Sequence, residues 1–280
     1  MKHHPSPPPA RTSGASSGVG GPLLTLPLLV FLAVGVAWPL AHLLSAVVTG
    51  PGQAALRAVL SAGRYRTALL NSLALSAAAA AAAVLLALPP AWVLGRHRFR
   101  GRALLRAAIS LPLTFSGVLV GFLMIAMLGR AGAVPRLAGL LAGRELLAGA
   151  TYTSAGLFLA YLYFEVPRAV TTLEAALRRL PADLDAAART LGAGRLDRLL
   201  RVWLPLAAPA LRATLAITFS ASMGSFGVAL VLARRFTMAP LEVYTELVSF
   251  LDDAVAGALC LVLASLTLIA DHLLARSGDG

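Results

Sequence analysis

The sequence holds a single cysteine, a single lysine and few charges for its 280 residues. Cys260 stands alone inside an apolar segment, which excludes a disulfide framework, a Cys-x-x-Cys pair and a thiolate metal site within one chain. It reads as a small packing residue. His-Glu-x-x-His, Gly-x-Ser-x-Gly and aspartates paired across separate apolar runs are all missing, so no pattern assembles a nucleophile, a base and oxyanion donors. The phosphate-cradling Gly-x-x-x-x-Gly-Lys-Ser/Thr is missing as well, so nothing here hydrolyses ATP. The chain reads as non-catalytic, with no cofactor and no metal site. Charged residues make up 13% of the chain against 58% hydrophobic, a balance that suits lipid better than water as the solvent. The net charge of +12 comes without an aromatic-interleaved basic patch. Its arginines lie between long apolar runs and so read as membrane-flanking charge, not as a nucleic-acid surface.

What the sequence does have is long apolar runs. A spanning helix needs about 20 predominantly apolar residues, and such windows fall at about 23–48, 67–94, 104–129, 152–173, 206–232 and 253–274. None shows the alternating period of barrel strands, so the expected class is all-α, a polytopic membrane protein of about six transmembrane helices. Residues 1–21, rich in Pro, Ser, Gly and His, predict a disordered tail on which His3 and His4 form no metal site. The first apolar run is too long for a signal-peptide core and predicts a retained anchor. The expected organisation is tail 1–21, first span and outer loop 22–66, a core over 67–274 with a loop at 174–205, and a short tail 275–280. Basic residues concentrate between spans two and three (Arg96 to Arg106) and between spans four and five (Arg178 to Arg201). By the positive-inside rule those loops and both termini face the cytoplasm. The alanine run Ala77 to Ala83 reads as a matter of overall composition.

The loop between spans four and five is too polar to span and too patterned for a linker. Pro181 suits a first helical turn, Asp183 and Asp185 complement the positive end of the helix dipole, and Arg189 complements the other end. Gly192 or Gly194 then supplies a turn. A second helix over Arg195 to Trp203 carries Leu196, Leu199, Leu200 and Trp203 at three- and four-residue spacings, and Pro205 marks the return to the membrane.

This loop resembles that of the type I ABC importer permeases, in which Glu-Ala-Ala, three residues, Gly, nine residues and Ile-x-Leu-Pro recur. Anchored on Gly192, the matching residues are Ala187, Ala188, Gly192, Val202, Leu204 and Pro205, with Leu191-Gly192-Ala193 as the family's Leu-Gly-Ala. Ala186 stands where the glutamate would, with Asp185 supplying similar charge just before it. A literal Glu174-Ala175-Ala176 has the wrong spacing to any later Gly and Leu-Pro. Asn71-Ser72-Leu73, the basic hinge Arg96 to Arg102 and Leu111-Pro112-Leu113 also look like the family's core, which covers about 67–272. The resemblance implies an inner-membrane permease subunit whose loop docks on cytoplasmic ABC ATPase subunits. It also implies a second permease subunit, identical or different, and an extracytoplasmic solute-binding protein received by the outer loops at about 129–149 and 233–252.

Polar residues within spans read in two ways. Ser220, Ser222, Met223, Ser225 and Phe226, with Thr218, Gly224 and Gly227, either pack helices closely or line the translocation path. Glu165 is an intramembrane carboxylate, functional by default, or simply neutralised by Arg168 three residues on along one helix face. Asp271 and His272 are too scattered to form a site. Ser222 to Gly227 and Pro240-Leu241-Glu242-Val243-Tyr244 look most like polyamine and aminoethylphosphonate permeases, with sulfate, iron and thiamine systems as near relatives. Glu165, Glu242, Glu246, Asp252 and Asp253 lean the same way, towards a cation. A secondary carrier would show inverted repeats with broken helices, and a membrane-embedded enzyme a catalytic motif; neither is evident.

Overall fold

The computed structural model describes residues 20–39, 41–42, 45, 50–142, 150–181, 183–233 and 236–276. These residues form helices and the turns between them, with no strand among them, as the all-α class requires. The chain divides into two compact units, residues 1–45 and 46–280. In the first, α1 (Gly20–Leu32) passes into a π-helical turn at Ala33–Ala37. Its apolar stretch Leu26–Ala37 is shorter than a full crossing. The anchor expected over 23–48 runs on into residues outside those described, and tail residues 1–19, with His3 and His4, lie outside them too.

The second unit contains α2 (Gly50–Ser61), α3 (Gly63–Arg96), α4 (Arg102–Ser110), α5 (Gly117–Leu128), α6 (Ala133–Ala142) and α7 (Ser154–Leu177). It continues with α8 (Asp183–Thr190), α9 (Arg195–Arg198), α10 (Leu204–Met223), α11 (Phe226–Leu232), α12 (Ala239–Thr245) and α13 (Asp253–Arg276). Helix α3 is the axis of the bundle. Its alanine run is a packing seam: Ala79, Ala83, Ala87 and Ala91 recur every four residues, so they share one face, and all are fully buried. Ala83, Ala87 and Ala91 meet Ala169, Val170, Leu173 and Leu177 of α7 in one cluster. In lipid no hydrophobic force separates helix from tail, and small side chains that let backbones approach supply the packing instead. Helix α10 lies against α3, α7 and α13, while α2 packs on α13 through Ala55, Val59 and Leu259.

Four stretches are long and apolar enough to cross a membrane: Gly63–Arg96, Gly117–Leu140, Leu196–Met223 and Asp253–Leu274. Helix α7 has the length, 24 residues, but carries Glu165, Arg168 and Glu174, which lower its mean hydropathy. Two of the expected spans differ from single helices. The third, expected over 104–129, breaks at a 3-10 turn, Leu111–Thr114, containing Pro112; Ser116 then caps α5 by accepting a hydrogen bond from the Leu119 N–H. Proline cannot donate into a continuing helix, and a serine at the cap offers a fresh start. The fifth, expected over 206–232, breaks at Gly224–Ser225 between α10 and α11.

Helices α5 and α11 cross in near contact of their backbones. A Cβ on Gly227 would stand 2.8 Å from the Val118 nitrogen, a separation no side chain accommodates without the helices parting. Gly227→Leu should therefore destabilise the bundle by about 1–3 kcal/mol, the usual cost of overpacking, and lower the melting temperature of the detergent-purified protein. An unchanged melting temperature would show that this crossing is looser than the geometry states.

Candidate functional site

The segment between α7 and α10 is built on one backbone closure. At the end of α8 the Ala193 N–H donates to the Ala188 carbonyl and the Gly192 N–H to the Arg189 carbonyl, both at 3.0 Å, with Gly192 at φ 79°. These two bonds with a left-handed residue between them form a Schellman cap. Any residue with a Cβ pays about 1–2 kcal/mol in that conformation, yet a Cβ at Gly192 would meet nothing within 4 Å. The cap leaves Leu191 87% exposed at the tip, with Leu184, Leu196, Leu200 and Leu204 also exposed. Asp185 and Ala186 lie in α8; Ala187 is exposed, Ala188, Ala193 and Val202 are half-buried, and Pro205 is exposed.

Pro205 does not interrupt the chain's return. From Arg195 the helix runs through α9, a π-helical turn at Leu199–Trp203, and on into α10. Proline is tolerated in the first helical turn, and the wider π turn just before it relaxes the demand for a donor at that position. Helix α8 starts at Asp183, two residues beyond Pro181.

This segment is fastened to the end of α3 at two points. Arg96 Nη1 donates to the Leu180 carbonyl at 3.1 Å, and its guanidinium lies 3.9 Å over the ring of Trp203. Trp203, buried, meets Trp92 edge-to-face with centroids 4.8 Å apart.

Beside that joint lies Glu174, buried on α7. Arg106 of α4 donates to it through Nε at 3.2 Å and Nη2 at 2.5 Å, Arg178 through Nη2, and Arg102 Nη2 stands 3.7 Å away. The Glu174-Ala175-Ala176 triplet, misplaced as a loop motif, thus carries the carboxylate that ties α4 to α7. The signal available in the sequence was the arginine cluster at 96–106, which has no acidic residue near it along the chain.

Within the bundle, Glu165 is 2% exposed and both its carboxylate oxygens accept from Arg168 Nη1 at 2.6 Å. Arg168 also lies 5.4 Å from the Phe164 ring centroid. Tyr161, one turn earlier, donates to the Ser225 carbonyl at 3.0 Å, at the break between α10 and α11. Ser222, fully buried on α10, falls within electrostatic reach of the Glu165 carboxylate, though its hydroxyl makes no hydrogen bond of normal geometry. Glu165 and Ser222 are thus brought together, with the Ser225 backbone held nearby through Tyr161. The other three polar-stretch residues are directed elsewhere. Ser220 donates to Asp271 of α13 at 2.7–2.8 Å, Met223 packs with Ala80 and Phe219, and Phe226 stacks at 5.1 Å on Tyr244.

Most of the acids expected to favour a cation have structural partners. Arg64 pairs with Glu242 at 2.5 Å and with Glu246 at 3.6 Å, and Tyr65 donates to Glu246 at 2.9 Å. Asp252 accepts from the Val255 N–H at the start of α13, and Asp253 occupies that helix's first turn. Asn71 and Ser72 hold the neighbouring backbone, Asn71 donating to the Thr237 carbonyl and Ser72 accepting from the Ala239 N–H. The lean towards a cation therefore loses Glu165, Glu242 and Glu246, whose carboxylates are committed to arginines.

The fold is that of a multi-helix membrane protein with a capped, apolar-tipped segment fastened to the end of α3. Residues 87–277 match the binding-protein-dependent transport system inner membrane component family, and the chain belongs to it. It is accordingly a multi-pass inner-membrane permease subunit and not an enzyme. The chain is 34% identical over 244 residues to the molybdenum transport system permease protein ModB of Mycobacterium tuberculosis, covering 85% of this chain and 84% of that one. It is 34% identical over 197 residues, 70% of each chain, to a probable molybdenum ABC transporter permease of Haloferax volcanii. The sulfate transport system permease protein CysT of Salmonella typhimurium is 31% identical over 183 residues, 64% of each. Among solved structures, a chain of a bacterial alginate ABC transporter in complex with alginate pentasaccharide-bound periplasmic protein has the same fold. Its TM-score is 0.77 at 17% identity, over 92% of this chain and 94% of that one. These relatives replace the expected polyamine or aminoethylphosphonate likeness with molybdenum and sulfate systems.

Removing the Glu174 carboxylate leaves three arginines facing one another. Glu174→Ala should cost about 1–3 kcal/mol, below the range for fully buried pairs because the arginines are partly exposed. The loss is read as a lower melting temperature in detergent. A melting temperature equal to that of the parent would mean the ion network contributes nothing.

Proposed function

We propose that this chain is the membrane-spanning subunit of an ATP-driven importer for a tetrahedral oxyanion, molybdate or sulfate. The observation that carries the coupling half of this reading is the exposed, apolar tip at Leu191. An 87% exposed leucine on a Schellman-capped helix, flanked by Leu184, Leu196 and Leu200, is costly in water unless a partner covers it. A cytoplasmic ABC ATPase is that partner, engaging Asp185, Ala187, Ala188, Leu191, Gly192 and Ala193 on the first helix and Val202, Leu204 and Pro205 at the root of the second. Closure of the ATPases moves the tip, and the joint at Arg96, Trp92 and Trp203 carries the movement into α3 and α10.

The arginine excess at 96–106 and 178–201 supports a cytoplasmic placement of this end and of both termini. A second permease subunit, identical or different, completes the pore, and a solute-binding protein docks on the opposite face. The path is taken to run past Glu165, Ser222 and Ser225, with Ser220, Met223 and Phe226 shaping the helices around it.

The oxyanion half rests on the molybdenum and sulfate relatives. The charge pattern supports it: Glu165 is neutralised by Arg168, and Glu242 and Glu246 by Arg64, so these three buried carboxylates are not free for a cation. Iron, thiamine and polyamine lack this support.

Two measurements test the halves separately. Gly192→Val, strained at φ 79° but free of clash within the chain, should still insert and fold, with a melting temperature lowered by no more than that local strain of about 1–2 kcal/mol. It should reduce uptake and ATPase stimulation in the assembled transporter about tenfold, the equivalent of roughly 1.4 kcal/mol of lost coupling. Uptake at the parental rate would remove the coupling assignment. The cognate binding protein should gain thermal stability with molybdate or sulfate and none with spermidine; the reverse pattern would overturn the substrate class.

A further inference from the structure

A cavity of about 290 Å³ opens where α3 ends, lined by Gly95, Arg96, His97, Arg98, Arg102 and Arg178. We propose that this cavity is an anion site for a tetrahedral oxyanion, presented either as the phosphate of an anionic lipid head group or as the free ion.

Charge is the first argument. Four arginines line the cavity, and the carboxylate that contacts them among the described residues, Glu174, is already shared by Arg102, Arg106 and Arg178. Like charges this close are unfavourable unless an anion is brought among them, and planar guanidinium forks match the oxygens of such an anion.

An unused donor is the second. Arg102 directs Nη2 to the Leu94 carbonyl, yet its Nε is buried with no hydrogen-bond partner. A buried donor left unmade costs about 1–3 kcal/mol, which a small turn of the Arg102 guanidinium towards an anion in the cavity would recover. Arg98 and His97 stand exposed at the rim and make no side-chain hydrogen bond or ion pair among the described residues.

The surroundings are those of a membrane interface. Trp92 and Trp203 lie beside the cavity, packed under Arg96. On α4, Arg102 and Arg106 turn towards Glu174 while Leu104 and Leu105 are exposed, so the outer face of this amphipathic helix is apolar. A phosphate in the cavity could thus carry acyl chains along α4, in the manner of basic pockets between membrane helices. The cavity also adjoins the Arg96 joint, so an anion there would stiffen the attachment of the 178–205 segment.

The test uses the full-length protein in detergent and counts bound ligand by native mass spectrometry, with melting temperature in parallel. Short-chain phosphatidylglycerol and inorganic phosphate are titrated separately into the parent and into a His97→Gln, Arg98→Gln variant, whose two side chains are exposed and make no side-chain hydrogen bond or ion pair among the described residues. Binding of phosphatidylglycerol that weakens about tenfold in the variant establishes a lipid phosphate site; the same loss for inorganic phosphate alone establishes a free-anion site. Failure of both ligands to bind the parent, or equal binding by parent and variant, overturns the proposal. These readouts need neither transport nor ATPase activity, so they stand or fall apart from the proposed function.

Discussion

The close approach of α3 and α7 along a line of alanines is the constraint on which the other positions depend. Between two membrane helices, association comes from van der Waals packing and from the few polar groups they share. Ala83, Ala87 and Ala91 let α7 approach α3 until Leu173 and Leu177 are buried against Leu94. That fixes the height and rotation of α7, and with it the two carboxylates α7 carries. Glu165 and Glu174 are nine residues apart, so they lie roughly 13 Å apart along the axis and about half a turn apart around it. One therefore faces the break between α10 and α11, and the other faces α4. A bulkier seam would move both away from their arginines.

Charge inside the bundle is settled by pairing, and the pairs double as fasteners. Arg168 neutralises Glu165 beneath the Tyr161–Ser225 hydrogen bond; Arg64 and Tyr65 hold Glu242 and Glu246; Arg102, Arg106 and Arg178 converge on Glu174. Isolated charge in a low-dielectric interior is too costly to persist; Glu165 is neutralised within its own helix, while Glu174, Glu242 and Glu246 mark where two elements meet. The arginines outnumber these acids most at the end bearing the 178–205 segment, which makes that end cationic.

Hydropathy made the helical class and most of the spans legible, since apolar length is a local property. The turn at Gly192 was legible for a similar reason: a glycine after Leu191, with Arg189 in the last turn, is a local signature of a helix end. Glu174 was not legible, because its meaning lies in Arg106, 68 positions away, and no spacing along the chain encodes that contact. The alanine run was discounted as composition, although its four-residue recurrence from Ala79 to Ala91 held the seam. Hydropathy windows also pass over a broken backbone. Leu111–Ser116 and Gly224–Ser225 are apolar or small enough to read as helix, and only the loss of a donor at Pro112 and the cap at Ser116 end one there. The acids Glu242 and Glu246 misled for the opposite reason: counted as free charge, they are committed to Arg64.

The continuous helix from Arg195 to Met223 joins these two halves of the molecule mechanically. Its lower end emerges from the Gly192 cap and is clamped by Trp203 against Trp92; its upper end stops at Gly224–Ser225, beside Tyr161, Ser222 and the Glu165–Arg168 pair. A rod of 29 residues is about 43 Å long, and its backbone bonds resist compression far better than the break at its end resists bending. Under the coupling proposed here, displacement applied at Leu191 is therefore taken up where the backbone is least tied, at the polar centre of the bundle. The π turn at Leu199–Trp203 sits just before Pro205, which with Pro209 withholds a donor from the rod, and Trp203, buried on that turn against Trp92, keeps the irregularity from becoming a hinge. A hinge there would absorb the movement before it reached Glu165, so the buried tryptophan and the broken helix do complementary jobs: one keeps the rod stiff near the membrane surface, the other lets it yield inside.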